Sequence, residues 1–263
     1  MGLFYENYFN TNGVYINMAK LFFTPVILLV ILLSCSKKEN YAYGSTDTMP
    51  APTPTAPPVI TSSEKTYLAL GDSYTIGQSV AVADRFPNQT ANLLLYDSIK
   101  VATPEIIAQT GWTTSNLLSR INSTPPTLGT YDIVTLLIGV NNQYQHMSID
   151  LYRSEFTLLL NKSITYAANK KDHVFVLSIP DYSVTPFASG SDKATIAAEI
   201  DAYNKINKEI TLAAGCNYVD ITSASRQAAT DISLIANDGL HPSGKQYNIW
   251  STLLIPFVKA ALR

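Results

Sequence analysis

Two short segments, Ile133-Val134-Thr135-Leu136-Leu137 and Val174-Phe175-Val176-Leu177, are almost unbroken runs of apolar side chains rich in β-branched residues. A strand that alternates polar and apolar residues can rest one face against water. A run without polar alternates must be covered on both faces, the condition met by strands inside a parallel sheet flanked by helices. With these two extended to Ile133–Ile138 and Val174–Ile179, further strands are expected at Tyr67–Leu70, Lys100–Ile106 and Tyr218–Asp220. Longer segments lie between them. Tyr152, Phe156, Leu159, Leu160 and Ile164 recur at helical spacing, as do Ile196, Ile200, Tyr203 and Ile210, and both stripes read as core. A last helix is expected from Ser243, where Ser243-x-x-Gln246 reads as a capping box, with Pro256 kinking it. Such alternation predicts a three-layer α/β/α domain with about five parallel strands. A ligand site in that architecture belongs at the carboxyl ends of the strands.

The first 64 residues have a different character. Leu21 to Leu33 is an apolar run of 13 residues, preceded by Lys20 and followed by Ser34 and Cys35. That is shorter than the roughly 20 residues that span a bilayer and fits the apolar part of an export signal. Leu32-Leu33-Ser34-Cys35 resembles the lipobox of bacterial lipoproteins, which implies cleavage before Cys35 and acylation of that cysteine. Residues 1–34 are therefore expected to be a signal peptide. Met1 to Asn17 holds one acid, Glu6, and no base, which is wrong for the start of a signal and points to Met18 as the true start. Residues 35–64 contain Ser, Thr and five prolines between Pro50 and Pro58, a tether that cannot bury apolar area. Residues 65–263 are enough for one core. The expected location is the bacterial cell envelope, exported and held to the membrane by the lipid on Cys35.

Charge narrows the partners. Only 14% of residues are charged and the net charge is -2, so there is no basic surplus to neutralise a nucleic-acid backbone. Cys35 and Cys216 are too few for a disulfide framework or a thiolate metal site. No His-Glu-x-x-His motif occurs either, and neither metal nor cofactor is expected.

Directly after the first strand stands Gly71-Asp72-Ser73-Tyr74. A serine hydroxyl is a poor nucleophile at neutral pH and needs a base, usually a histidine oriented by a carboxylate. Of three histidines, His146 lies in a polar stretch and His173 sits at the mouth of a buried strand, where a structural role is expected. His241 lies in Asp238-Gly239-Leu240-His241-Pro242, just before the last helix. Three residues apart on one loop, Asp238 can reach Nδ1 of the imidazole and leave Nε2 for the serine. Acyl transfer also needs donors for an oxyanion, such as a glycine amide and an asparagine side chain. Gly111 follows the second strand and Asn141 the third. Each alone reads as an ordinary turn residue.

Taken together, Ser73, Gly111, Asn141 and His241 stand in the order that names the SGNH hydrolases, the GDSL esterase/lipase family, and Asp238 matches its Asp-x-x-His block. The chain resembles that family from about Thr66 to its end. The resemblance implies a flavodoxin-like sandwich in which Ser73 is the nucleophile and His241, supported by Asp238, the base. The amides of Ser73 and Gly111 and the side chain of Asn141 would form the oxyanion hole. The family's usual Gly-x-Asn-Asp block reads Gly139-Val140-Asn141-Asn142 here, a change expected to alter local loop bonding. The expectation is a monomeric serine esterase acting on small-molecule, glycan or lipid esters. The rival is a silent surface lipoprotein that keeps the fold to bind glycan or lipid. Gly239-Leu240-His241-Pro242-Ser243-Gly244-Lys245 mimics a P-loop, but Gln246 stands where Ser or Thr would hold magnesium.

Overall fold

The computed structural model describes residues 64–263. The signal segment, Cys35 and all but the last residue of the tether lie outside them. Five strands, β1 (Tyr67–Gly71), β2 (Glu105–Ala108), β3 (Ile133–Leu137), β4 (Val174–Leu177) and β5 (Asn217–Val219), form one sheet in the order β2-β1-β3-β4-β5. Every neighbouring pair is parallel. This is the flavodoxin-like order. Among the described residues eight α-helices connect and follow them: α1 (Ser73–Ile76), α2 (Phe86–Tyr96), α3 (Thr114–Ser123), α4 (Val140–Tyr144), α5 (Ile149–Tyr166), α6 (Lys193–Ala214), and, after β5, α7 (Thr222–Ser225) and α8 (Gly244–Ala261).

Helices α3, α5 and α6 pack side by side, and α2 packs with α8, giving the two outer layers of the sandwich. All residues of β1, β3 and β4 are buried, as their unbroken apolar runs require. The expected stripes of α5 and α6 are core: Tyr152, Phe156, Leu159, Leu160 and Ile200 are fully buried, Ile196 and Tyr203 nearly so, with Ile164 and Ile210 packed at the edge.

The second strand departs from its expected bounds. Pairing begins where expected, with Val101 bridging Lys65, but Pro104 has no N–H to give and the ladder resumes only at Glu105. Strand β4 stops short of Ile179 because both backbone groups of that residue bond to the Asn204 side chain, at 2.7 and 2.9 Å. Helix α8 does start after Ser243, whose hydroxyl accepts the Gln246 N–H. The reciprocal half of the expected capping box does not form. The Ser243 N–H donates instead to Leu234 O at 2.8 Å. The reciprocal box occurs at α3, between Thr113 and Asn116, and α8 continues through Pro256.

Candidate active site

The chain leaves β1 for β2 on one side of the sheet and later enters β3 on the other, so the connections after β1 and β3 diverge. A crevice opens beyond the paired residues Gly71 and Leu137. The close approach of the two strand ends explains Gly71. A Cβ there would lie 2.4 Å from Leu137 O and 2.1 Å from Thr75 Oγ1. Asp72 then caps α1, its Oδ1 accepting the Tyr74 N–H at 3.0 Å, and Ser73 is the first helical residue, almost fully buried. The Asp72 carboxyl is itself buried, and loss of hydration pushes its pKa up to about 7 against the opposing pull of the Tyr74 N–H.

On the other side of the crevice, Gly139 turns the chain into α4 with φ +130°, and a Cβ there would meet Tyr152 Cε2 at 2.6 Å. Asn141 follows, half-buried, and donates one amide hydrogen to Trp112 O at 2.9 Å. That bond fixes the side chain and leaves its second hydrogen free. It also joins Asn141 to the loop of Gly111, an exposed residue with φ +82°. The same loop is held to the end of α1, where Thr110 Oγ1 donates to Gln78 Oε1 at 2.8 Å. Asn142 is fully buried and faces away from this chemistry: its Oδ1 accepts the Thr114 N–H at 3.0 Å and its Nδ2 donates to Thr114 Oγ1 at 2.7 Å. Thr114 passes its own hydrogen to Glu155 at 2.5 Å.

The loop before α8 supplies the imidazole. His241 Nδ1 lies 2.6 Å from Asp238 Oδ2. The same carboxylate accepts the N–H groups of Leu240 and His241, both at 2.9 Å, and the Ser79 hydroxyl at 2.7 Å. Partial burial would raise its pKa, but these four donors together hold it well below the usual carboxylate range. An ionised acceptor so close requires the imidazole tautomer with its proton on Nδ1, which leaves Nε2 as a base. The ring is buried, packed against Tyr74 at 5.3 Å between centroids, and Tyr74 in turn meets Trp250 at 6.3 Å. Among the described residues no hydrogen bond joins Ser73 Oγ to His241.

The structure thus brings the loops of Ser73, Gly111, Asn141 and the Asp238–His241 pair to the carboxyl edge of β1, β2 and β3 and the start of α8. His146 is exposed. His173 is buried and bonds Asp132 O through Nδ1 at 2.6 Å, a structural contact. Cys216 is buried. The P-loop mimic is the loop that carries His241, and its Lys245 is paired with Asp231 at 2.7 Å. Among the described residues no three His, Cys, Asp or Glu side chains are arranged to hold a metal ion. Ser79 was not legible as a partner: it lies 159 residues from Asp238 and carries no motif.

The sequence profile of the GDSL-like Lipase/Acylhydrolase family matches residues 69–249. No curated protein matches the chain significantly. Solved structures do resemble it. A lipase/acylhydrolase from Enterococcus faecalis has 18% identity and TM-score 0.57, covering 74% of this chain and 96% of its own. A lipase from a goat rumen metagenome has 20% identity and TM-score 0.58, covering 75% and 97%. An acetylxylan esterase from Geobacillus stearothermophilus has 17% identity and TM-score 0.56, covering 74% and 94%. At these identities the likeness is one of fold. The profile spans most of the chain and includes Ser73, Gly111, Asn141, Asp238 and His241, so the protein belongs to the GDSL-like lipase/acylhydrolase family of hydrolases.

Proposed function

We propose that the protein is a serine esterase that cleaves carboxylic esters through an acyl-enzyme on Ser73. The observation that carries this reading is the 2.6 Å bond between His241 Nδ1 and the ionised Asp238, at the crevice edge where Ser73 opens α1. His241 Nε2 takes the Ser73 proton as Oγ bonds to the acyl carbon. Negative charge then gathers on the carbonyl oxygen, where the amides of Ser73 and Gly111 and the free Nδ2 hydrogen of Asn141 receive it. The C–O bond to the alcohol breaks and the alcohol leaves with the proton from Nε2. Water, deprotonated by the same nitrogen, adds to the acyl carbon, and Ser73 leaves with that proton as the carboxylic acid is released.

Hydrolysis of a p-nitrophenyl ester series from acetyl to palmitoyl, with Ser73→Ala as control, tests the reading. A fluorophosphonate should label Ser73 alone, and a label on another serine, or full activity in Ser73→Ala, refutes it. We further propose that the enzyme works as a monomer in the cell envelope, anchored through lipid on Cys35. Cys35→Ser should then leave a soluble or uncleaved precursor, and an unmodified Cys35 within an intact N-terminus by mass spectrometry would overturn the anchor.

A further inference from the structure

Three aromatic rings meet at the carboxyl edge. Tyr144 closes α4, three residues after Asn141 and so on the same side of that helix. Tyr182 and Phe187 follow β4. The ring centroids are 6.2 Å apart for Tyr144–Tyr182, 5.9 Å for Tyr144–Phe187 and 6.2 Å for Tyr182–Phe187. Tyr182 is buried beneath the other two, while Tyr144 is 52% and Phe187 47% exposed. The Phe187 N–H donates to Gly239 O at 2.9 Å, which ties the cluster to the Asp238–His241 loop. The platform therefore draws one ring from the helix that carries Asn141 and is bonded to the loop that carries His241.

Pro186, beside Phe187, also lines an open groove of about 690 Å³, to which Asn237 and Gly239, the chain neighbours of Asp238, contribute. Ser79, Asp84, Ser233, Asn237 and Ser243 give that groove its polar groups. The Asp84 carboxylate is exposed and takes no hydrogen bond among the described residues, although its backbone N–H donates to Ala81 O and its carbonyl accepts from Gln89. A groove this large suits a ligand of drug size or more rather than a small alcohol. An acyl chain laid in it would strip water from Asp84 and Asn237 without replacing their hydrogen bonds. An anionic lipid head group would meet like charge at Asp84. A sugar chain has the matching chemistry, with hydroxyls for the Asp84 carboxylate and the Asn237 amide, and apolar C–H faces for the rings.

We propose that the Tyr144–Tyr182–Phe187 platform and the groove beyond Pro186 bind the alcohol part of the ester, and that this alcohol is an oligosaccharide. The proposal rests on the esterase reading and names its substrate class. It is tested on the full-length protein with O-acetylated xylo-, cello- and chito-trioses, followed by acid release, against ethyl acetate, which has neither ring nor hydroxyl to engage. The wild type should favour at least one triose. Tyr144→Leu and Phe187→Leu should each lower the triose-to-ethyl-acetate ratio of kcat/KM roughly tenfold, for one ring face lost from contact. Tyr144→Phe, which keeps the ring, should preserve the ratio. Asp84→Ala should lower the ratio for the triose more than for an acetylated methyl monosaccharide. No preference for any triose, or an unchanged ratio in both leucine variants, overturns the proposal while leaving the esterase reading intact if Ser73→Ala is inactive. A selective loss on ethyl decanoate instead would assign the platform to the acyl chain and overturn it too. Ester cleavage that survives Ser73→Ala removes both readings.

Discussion

The buried carboxyl of Asp72 makes the stability of this protein depend on pH in an unusual direction. Its pKa in the folded chain is pushed from the ordinary 3.8 to about 7 by burial. A carboxyl with a raised folded-state pKa stabilises the fold fully below the unfolded value, and the contribution is lost as pH rises through the folded value. The window is therefore about pH 4 to 7, and the gap between the two values corresponds to about 4 kcal/mol. Asp238 acts oppositely and elsewhere, since its depressed pKa costs stability only as pH falls below the usual carboxylate range. Asp72→Asn keeps an oxygen for the Tyr74 N–H and caps α1 as well as aspartate does, but it cannot ionise. Urea unfolding of the two proteins from pH 4 to 8 should give similar stabilities at the acid end. The variant should pull ahead by up to about 4 kcal/mol at pH 8. Other titrating groups are common to both proteins and cancel in the difference. Parallel curves across that range would show that the Asp72 charge is solvated or paired, and the burial argument would be wrong.

Asn141→Ala should reduce kcat by roughly 10²–10³ with little change in KM, since its free amide hydrogen is used mainly in the transition state; near wild-type kcat with intact circular dichroism would place the oxyanion elsewhere. Asn142→Asp, although it restores the family's usual residue, should cost about 1–3 kcal/mol by chemical denaturation, because Thr114 has one hydrogen and already gives it to Glu155. Ser79→Ala should lower kcat for ester hydrolysis by roughly tenfold, the value of one hydrogen bond to a charged group. An unchanged kcat in Ser79→Ala would show that the remaining three donors hold Asp238 unaided.

The parts of the site that could be read from the chain are those whose chemistry is local. Asp238 and His241 sit three residues apart, and one loop brings them together whatever the rest of the protein does. The unbroken runs at 133–137 and 174–177 likewise announce burial on both faces without reference to distant residues. What escaped was set by tertiary contact. The Ser79 hydroxyl and the Gln78–Thr110 link depend on loops that meet only once the sheet is assembled. Tyr144, Tyr182 and Phe187 carry no shared motif and form a platform because α4 and the segment after β4 end at the same edge. The capping box failed for a related reason. Ser243 found a better partner for its N–H in Leu234, a residue of the loop packed beside it.

The bond from Ser79 to Asp238 also sets when this protein can act during its own making. Ser251 donates to the backbone of Phe86 and Lys259 pairs with Asp97, so the final helix is a clasp that closes on both ends of α2. On the proposed mechanism, a chain still emerging from synthesis carries Ser73 long before its histidine exists, and it has no base for that serine until the last segment has docked. Contacts of such sequence separation carry the largest entropy of closure. Recovery of hydrolysis after refolding therefore reports the closing of this clasp, while spectroscopic signals from the sheet can return earlier. If the Ser73–His241 pair is the reactive one, a chain whose last helix has not yet closed cannot attack the esters it meets on the way.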